Sequence, residues 1–225
     1  MAESLLLGAI LCDGGYASPV LCAAGSHYCT AERQYRYPLE YGNQRTPAAQ
    51  WTVTGAGACL LSDQGELMPR IIQATIGRVI DLGIKDANNM GAAMAPAAAD
   101  TLLAHFTDTE TTPADYDQII TGDLGKVGSD LLKALVMEKG IALPDHKHMD
   151  CGLCIFDPKD DVHAGGSGCG CSATLLSACI LPRLQCGEWK RVLFMATGAL
   201  LSPTTSQQGE SIPGIAHALV LEGGA

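Results

Sequence analysis

The chain has 225 residues, 47% of them hydrophobic, and a formal net charge of -10. That length and apolar content suffice for one large α/β domain or two small halves and exclude a disordered chain. The acidic balance excludes a nucleic-acid-binding face, which needs basic groups for the phosphates, and docking on anionic lipid by charge alone.

Residues 2–13 read as a buried helix of Gly, Ala and Leu, stopped at Asp13-Gly14-Gly15. Its apolar stretch, 5–12, is far shorter than the ~20 residues that cross a bilayer, so no transmembrane segment is expected. No basic region and no small-residue cleavage site mark a signal peptide. The chain starts inside this helix with neither cap nor preceding strand, the pattern of a fragment or of a late start. Residues 19–24 form a short buried strand, followed by a polar, aromatic stretch over 26–50. Residues 51–61, interrupted by Gly55 and Gly57, and 70–79, rich in Ile and Val, read as two more strands.

The rhythm restarts after a break near 80–89. Residues 88–106 predict a helix of small residues, kinked or delayed by Pro96. A turn at 113–117, a strand at 118–121, a turn at 122–125 and a helix at 126–139 follow. Residues 150–156 read as a strand and 173–184 as a helix, with last strands at 191–197 and 215–221. The run 162–174 reads as a short strand, a glycine turn and a helix that starts on small residues. Strands alternating with helices predict a mostly parallel sheet between helical layers.

Ten cysteines are scattered through apolar runs, where a free thiol acts as a small hydrophobe. Without a secretion signal, disulfides are not expected. The run His146-Lys147-His148-Met149-Asp150-Cys151-Gly152-Leu153-Cys154 holds zinc-type ligands. A second ligand pair at finger spacing is missing, and Leu153 and Ile155 look like strand core. The reading is a loop entering a buried strand, with no metal site.

In an α/β sheet, ligands bind beyond the carboxyl ends of the strands. Here those ends are Gly25-Ser26-His27, Gly122-Asp123-Leu124-Gly125, the 165–170 loop and Gly198-Ala199-Leu200-Leu201-Ser202. All carry glycine or serine, and the expectation is that the four converge on one pocket. The 165–170 loop supplies glycine flexibility and the free N–H groups of a helix start.

The chain resembles the thiolase-like fold of thiolases and ketoacyl synthases, and more closely the stage V sporulation protein AD family. The runs that carry the likeness include Ala31-Glu32-Arg33-Gln34-Tyr35-Arg36-Tyr37-Pro38, Gln50-Trp51-Thr52-Val53-Thr54-Gly55-Ala56-Gly57, Asn89-Met90-Gly91-Ala92-Ala93-Met94-Ala95-Pro96, Thr121-Gly122-Asp123-Leu124-Gly125 and Ala196-Thr197-Gly198-Ala199-Leu200-Leu201-Ser202-Pro203. The resemblance covers nearly all of the chain. It implies an α-β-α-β-α layered fold, with residues 1–79 as the remainder of the N-terminal half and 80–225 as the C-terminal half. It also implies about a hundred further residues ahead of Met1, within the size of one large domain, that would hold the first strands and the turn with the nucleophile cysteine.

A ketoacyl synthase needs that cysteine and two oxyanion donors, His and Asn. The resemblance places the histidine loop at 121–125, where Asp123 stands, and the asparagine loop at 165–170, around Ser167. No catalytic residue is therefore expected. The resemblance implies instead a binding protein for dipicolinic acid (pyridine-2,6-dicarboxylate), taken alone or with calcium, and no other cofactor. It would be a soluble subunit of the SpoVA spore channel, active in dipicolinate uptake during sporulation and its release in germination. It would lie peripherally on the inner spore (forespore) membrane through its partner subunits, and thiolase relatives suggest a homodimer. The candidate ligand-binding residues are Ser26, His27, Arg33, Arg36, Asp123, Gly166, Ser167 and Gly168. Arginine forks suit carboxylates, Tyr35 and Tyr37 are candidates to stack on the pyridine ring, and Asp123 fits only if protonated, bridged by calcium, or used to fix Ser26 or His27. The competing reading is a thiolase-like acyltransferase or condensing enzyme acting on acyl thioesters.

Overall fold

The computed structural model describes residues 1–29, 46–65, 67–157 and 159–224. The first helix, α1 (Ala2–Asp13), runs into an antiparallel pair, β1 (Val20–Ser26) with β3 (Gly55–Leu61). Between them lies the two-residue β2 (Trp51–Thr52). β4 (Arg70–Ile76) precedes the long α2 (Met90–Thr109), β5 (Gln118–Thr121) and α3 (Gly125–Glu138). Then come β6 (His148–Asp150), the single turn α4 (Cys151–Cys154), β7 (Gly166–Ser167) and α5 (Cys169–Leu175). A π-helical turn, Leu176–Ile180, carries α5 directly into α6 (Leu181–Gln185). β8 (Arg191–Ala199), the short α7 (Pro203–Gln207) and β9 (Gly214–Glu222) complete the order.

The main sheet has five strands in the order β4-β9-β8-β5-β6. Its side chains divide between two cores as strand alternation requires. Leu193 and Met195 of β8 face Leu102 and Phe106 of α2 and Leu132 and Val136 of α3. Val192 and Phe194 face Leu5 and Leu6 of α1 and Leu175, Leu176 and Ile180 of the α5–α6 helix. The far side of α1 and α5 meets β1 and β3, where Cys22 joins the same core and Ala24, Cys59 and Leu61 pack against it. The described residues thus stack as four layers, α2/α3, the five-stranded sheet, α1/α5–α6, and β1/β3. The outer face of the β1/β3 pair is apolar and open: the register partners Leu21 and Leu60 are 69% and 66% exposed.

Four expectations need correction. The sheet is mixed, because β9 runs antiparallel to both β8 and β4. The chain leaves β8 and returns beside it, with Leu200 N–H donating to Pro213 C=O at 2.8 Å, a hairpin-like return where a parallel pair needs a crossover. The strand expected over 150–156 ends at Asp150 and becomes α4, whose turn is closed by Ile155 N–H on Cys151 C=O at 3.0 Å; short apolar runs do not distinguish strand from helix by period. Leu153 is accordingly 42% exposed rather than core. The strand expected over 51–61 divides at Val53-Thr54, since β2 pairs in parallel with β7 while β3 pairs with β1. Pro96 does not delay its helix: α2 starts at Met90, where the Asn89 side chain accepts from Ala92 N–H at 3.2 Å.

Candidate functional site

Three of the four strand-end loops singled out in the sequence, at Ser26, 122–125 and 165–170, meet through side-chain hydrogen bonds, and Thr197, just ahead of the fourth loop, is tied to them. Ser26 closes β1 and is 8% exposed. Its hydroxyl donates to Val53 C=O at 2.7 Å and accepts from Gly170 N–H at 2.9 Å, so it pins the first turn of α5 to β1. Asp123 stands in the loop after β5. Its carboxylate accepts from Gly168 N–H at 2.9 Å and from the Thr197 hydroxyl at 3.1 Å, tying the 122–125 loop to the 165–170 loop and to the end of β8. Gly168 has φ of +100°, a conformation that favours glycine, and this turns its N–H toward Asp123.

Two braces escaped the sequence reading. Gln50, 2% exposed, donates through Nε2 to Asp123 C=O and to Gly166 C=O, both at 2.8 Å. It lies just before β2, whose flanking bonds, Trp51 N–H to Gly165 C=O and Val53 N–H to Ser167 C=O, hold the same loop. Asp150, 2% exposed, accepts from the Thr121 hydroxyl at 2.6 Å and from Leu124 and Gly125 N–H at 2.9 and 3.0 Å. Burial pushes its carboxyl above the usual range while these three donors and the Leu153 backbone pull it down. A lone Gln before a strand and an Asp at a strand end carry no sequence signature of their own.

Of the expected ligand donors, Ser26 and Gly168 are engaged in holding loops together. Gly166 and Ser167 form β7 and are buried against β2. His27 is exposed at the end of β1, where its Nδ1 accepts from Cys29 N–H at 3.2 Å. Beside it Tyr28 stacks on Trp51 with ring centroids 4.9 Å apart and planes 4° from parallel. Asp123 fixes Gly168 and Thr197. Arg33, Arg36, Tyr35 and Tyr37 lie outside the described residues. A separate groove of about 340 Å³ between the end of β4 and α2, crossed by the Arg78–Asp100 ion pair, shares no residue with these loops.

The His146 to Cys154 run does not gather its ligands. Among the described residues no three His, Cys, Asp or Glu side chains are grouped to hold a metal. Burial drives the Cys151 thiol far up and raises Cys154 as well, opposing the thiolate form that a metal needs. His148 points at Thr121 instead, at 3.0 Å.

Burial lowers the His148 pKa from 6.5 to about 4. The unfolded chain therefore takes up a proton near pH 6.5 that the folded chain refuses. This contribution to stability is complete above pH 6.5 and falls away toward pH 4, by up to about 3 kcal/mol. Burial shifts His105 in the same direction, whereas the raised Asp150 carboxyl favours the folded state in acid. Denaturant unfolding from pH 7 to pH 4.5 should therefore show a flatter acid limb for His148→Gln than for the unmodified chain; parallel limbs would refute the assignment.

The layers and the loop cluster at the strand ends define a thiolase-like condensing-enzyme fold. The tetronic acid condensing enzyme AbyA1 superposes with a TM-score of 0.60 at 16% identity, covering 99% of this chain and 65% of its own. OleA from Xanthomonas campestris gives 0.58 at 13% identity over 98% of this chain and 60% of its own. 3-Oxoacyl-[acyl-carrier-protein] synthase III from Aquifex aeolicus VF5 gives 0.54 at 13% identity over 98% and 63%. At such identities the likeness shows the fold alone. The profile of the family described as Stage V sporulation protein AD (SpoVAD) matches residues 1–222, and the chain belongs to that family. The Stage V sporulation protein AD of Bacillus subtilis (strain 168) is 51% identical over 226 residues, which cover 99% of this chain and 66% of the relative. The chain thus spans 66% of the length of that curated relative.

Proposed function

We propose that the chain acts as a non-catalytic dipicolinate-binding subunit of the SpoVA spore channel, serving dipicolinate uptake in sporulation and release in germination. The observation that carries this reading is the 51% identity to a stage V sporulation protein, set on a fold whose strand-end loops are built as a rigid cradle. Ser26, Asp123, Gly166, Ser167 and Gly168 form the frame of that cradle. His27, with Arg33 and Arg36, supplies the donors for the two ligand carboxylates. Dipicolinate binds as the free acid or with calcium; the calcium form relieves the repulsion between the ligand and Asp123. Attachment to the inner spore membrane runs through partner subunits, in keeping with the finding that no helix among the described residues is long and apolar enough to cross a membrane.

The structural neighbours favour a second reading, an acyl-thioester condensing enzyme. Against it, the 121–125 loop contains no histidine and the 165–170 loop no asparagine. An Asp123 carboxylate would repel a developing oxyanion rather than stabilise it.

Titration calorimetry of dipicolinate into the protein, with isophthalate as control, tests the proposal. Isophthalate keeps both carboxylates and loses the ring nitrogen. Saturable dipicolinate binding that isophthalate matches poorly is the expected result. Absence of binding together with turnover of an acyl thioester would replace the proposal by the enzyme reading.

A further inference from the structure

Asp150 is an almost fully buried carboxylate for which the binding reading has no task. It ends β6 directly opposite Thr121, its register partner at the end of β5. Both oxygens are engaged: Oδ2 by the Thr121 hydroxyl and Leu124 N–H, Oδ1 by Gly125 N–H. The single Thr121 hydroxyl proton is directed at Asp150, which leaves Oγ1 as an acceptor. His148 Nε2, 3.0 Å away, must then carry the proton and donate it. With Asp150 ionised, the order is set: His148 donates to Thr121, Thr121 donates to Asp150, and Asp150 receives the backbone of the 122–125 loop.

Burying a carboxylate is costly unless its lone pairs are filled. Here two of the donors that fill them are backbone groups of the loop itself, so the loop cannot move without leaving the carboxylate unpaired. The same loop carries Asp123 across to Gly168 N–H. The start of α4 packs underneath: a Cβ at Gly152 would stand 2.9 Å from Asp150 Oδ1 and 2.5 Å from Gly166 C=O, so Asp150 and β7 are seated against one backbone.

We propose that Asp150, backed by Thr121 and His148, is the positioning residue of this site: it sets the 122–125 loop and, through Asp123, the place of Gly168. The ligand arm of the test rests on the dipicolinate reading; the exchange arm does not.

The experiment is residue-resolved amide hydrogen exchange and dipicolinate calorimetry on the protein and on Thr121→Val, Thr121→Ser and Asp150→Asn. Val keeps the shape of Thr121 and removes its hydroxyl; Ser keeps the hydroxyl. The expected result for Thr121→Val is exchange about tenfold faster at Leu124, Gly125 and Gly168, with Leu193 and Leu219 in the sheet unchanged. Asp150→Asn exceeds it, and Thr121→Ser stays within about twofold of the unmodified protein. The imidazole nitrogen resonances of His148 lose their Nε2–H preference in Thr121→Val and keep it in Thr121→Ser, a change that lost packing alone would not produce. Dipicolinate affinity falls in the same order as exchange rises. Unchanged loop amides in Thr121→Val, uniform acceleration through the sheet, or a Thr121→Ser variant indistinguishable from Thr121→Val would each overturn the inference. If Asp150→Asn does not fold, Thr121→Val and Thr121→Ser decide it. Loop amides that respond as expected in a protein that takes no dipicolinate would uphold the positioning role and remove the ligand reading alone.

Discussion

Asp123→Ala is expected to cost about 2–4 kcal/mol of stability and most of the dipicolinate affinity, because it leaves Gly168 N–H and the Thr197 hydroxyl facing a void, each worth ~1–3 kcal/mol when unpaired in the interior. Asp123→Asn is expected to cost about 1 kcal/mol. Its amide oxygen still accepts from Gly168, and its NH₂ donates to Thr197 Oγ1 once that hydroxyl rotates. The contrast tells the two uses of the carboxylate apart. As a brace it needs hydrogen-bonding shape, and Asn supplies most of it. As a ligand for a calcium ion shared with dipicolinate it needs charge, and Asn fails as badly as Ala. Urea midpoints together with calorimetry, with and without calcium, read both effects. Retained binding in Asp123→Asn and loss in Asp123→Ala establishes the brace; loss in both, with stability retained in Asp123→Asn, assigns the charge.

The parts of the fold that sequence pattern revealed are those where one local rule operates. Helix α1 was legible because Asp13, Gly14 and Gly15 follow the apolar run 5–12, and β8 and β9 because Val, Leu, Phe and Ile cluster between turn residues. Sheet direction was not legible. Whether β9 returns beside β8 as an antiparallel neighbour depends on the pairing of Leu200 with Pro213 across the loop, and no period in either strand encodes it. The failure at 150–156 has the same origin. Cys151-Gly152-Leu153-Cys154 is as apolar as a strand, and only the demand of Leu124 and Gly125 N–H for the Asp150 carboxylate explains why the extended chain ends there.

For the site, glycines at strand ends marked which loops meet, since close backbone approach restricts the residue type. They did not reveal how the loops are joined. Ser26 and Asp123 read as ligand donors because a hydroxyl and a carboxylate in a glycine-rich loop look available. In the folded chain their partners come from 27 to 144 positions away, as in Ser26 with Val53 and Gly170. Gln50 was invisible for the complementary reason. A buried amide that bridges two carbonyls, Asp123 and Gly166, satisfies tertiary contacts alone and leaves no trace in local spacing.

Gly170→Ala is expected to be among the most damaging small substitutions in the cradle. Gly170 lies in the first turn of α5 and has no positive φ, so alanine meets no backbone penalty. In a helix free of neighbours it would gain up to about 1 kcal/mol over glycine. The added Cβ, however, would stand 2.6 Å from Ser26 Oγ and 2.8 Å from Ser26 N, and would press on the Gly55 carbonyl oxygen. Ser26 and Gly55 are register partners in the β1/β3 ladder, so neither can swing aside as a flexible side-chain end would. The helix start must lift off the strands, which breaks the Gly170 N–H bond to Ser26 and carries the adjacent Gly168 away from Asp123. Overpacking of this kind costs about 1–3 kcal/mol, and the unpaired Ser26 adds to it. For a chain of this length that lowers the melting temperature by about 5–10 °C. The sign of the result is the discriminating quantity: a Gly170→Ala protein that melts at or above the unmodified chain would show that α5 is not seated on β1, and the cradle built from Ser26, Asp123 and Gly168 would fall with it.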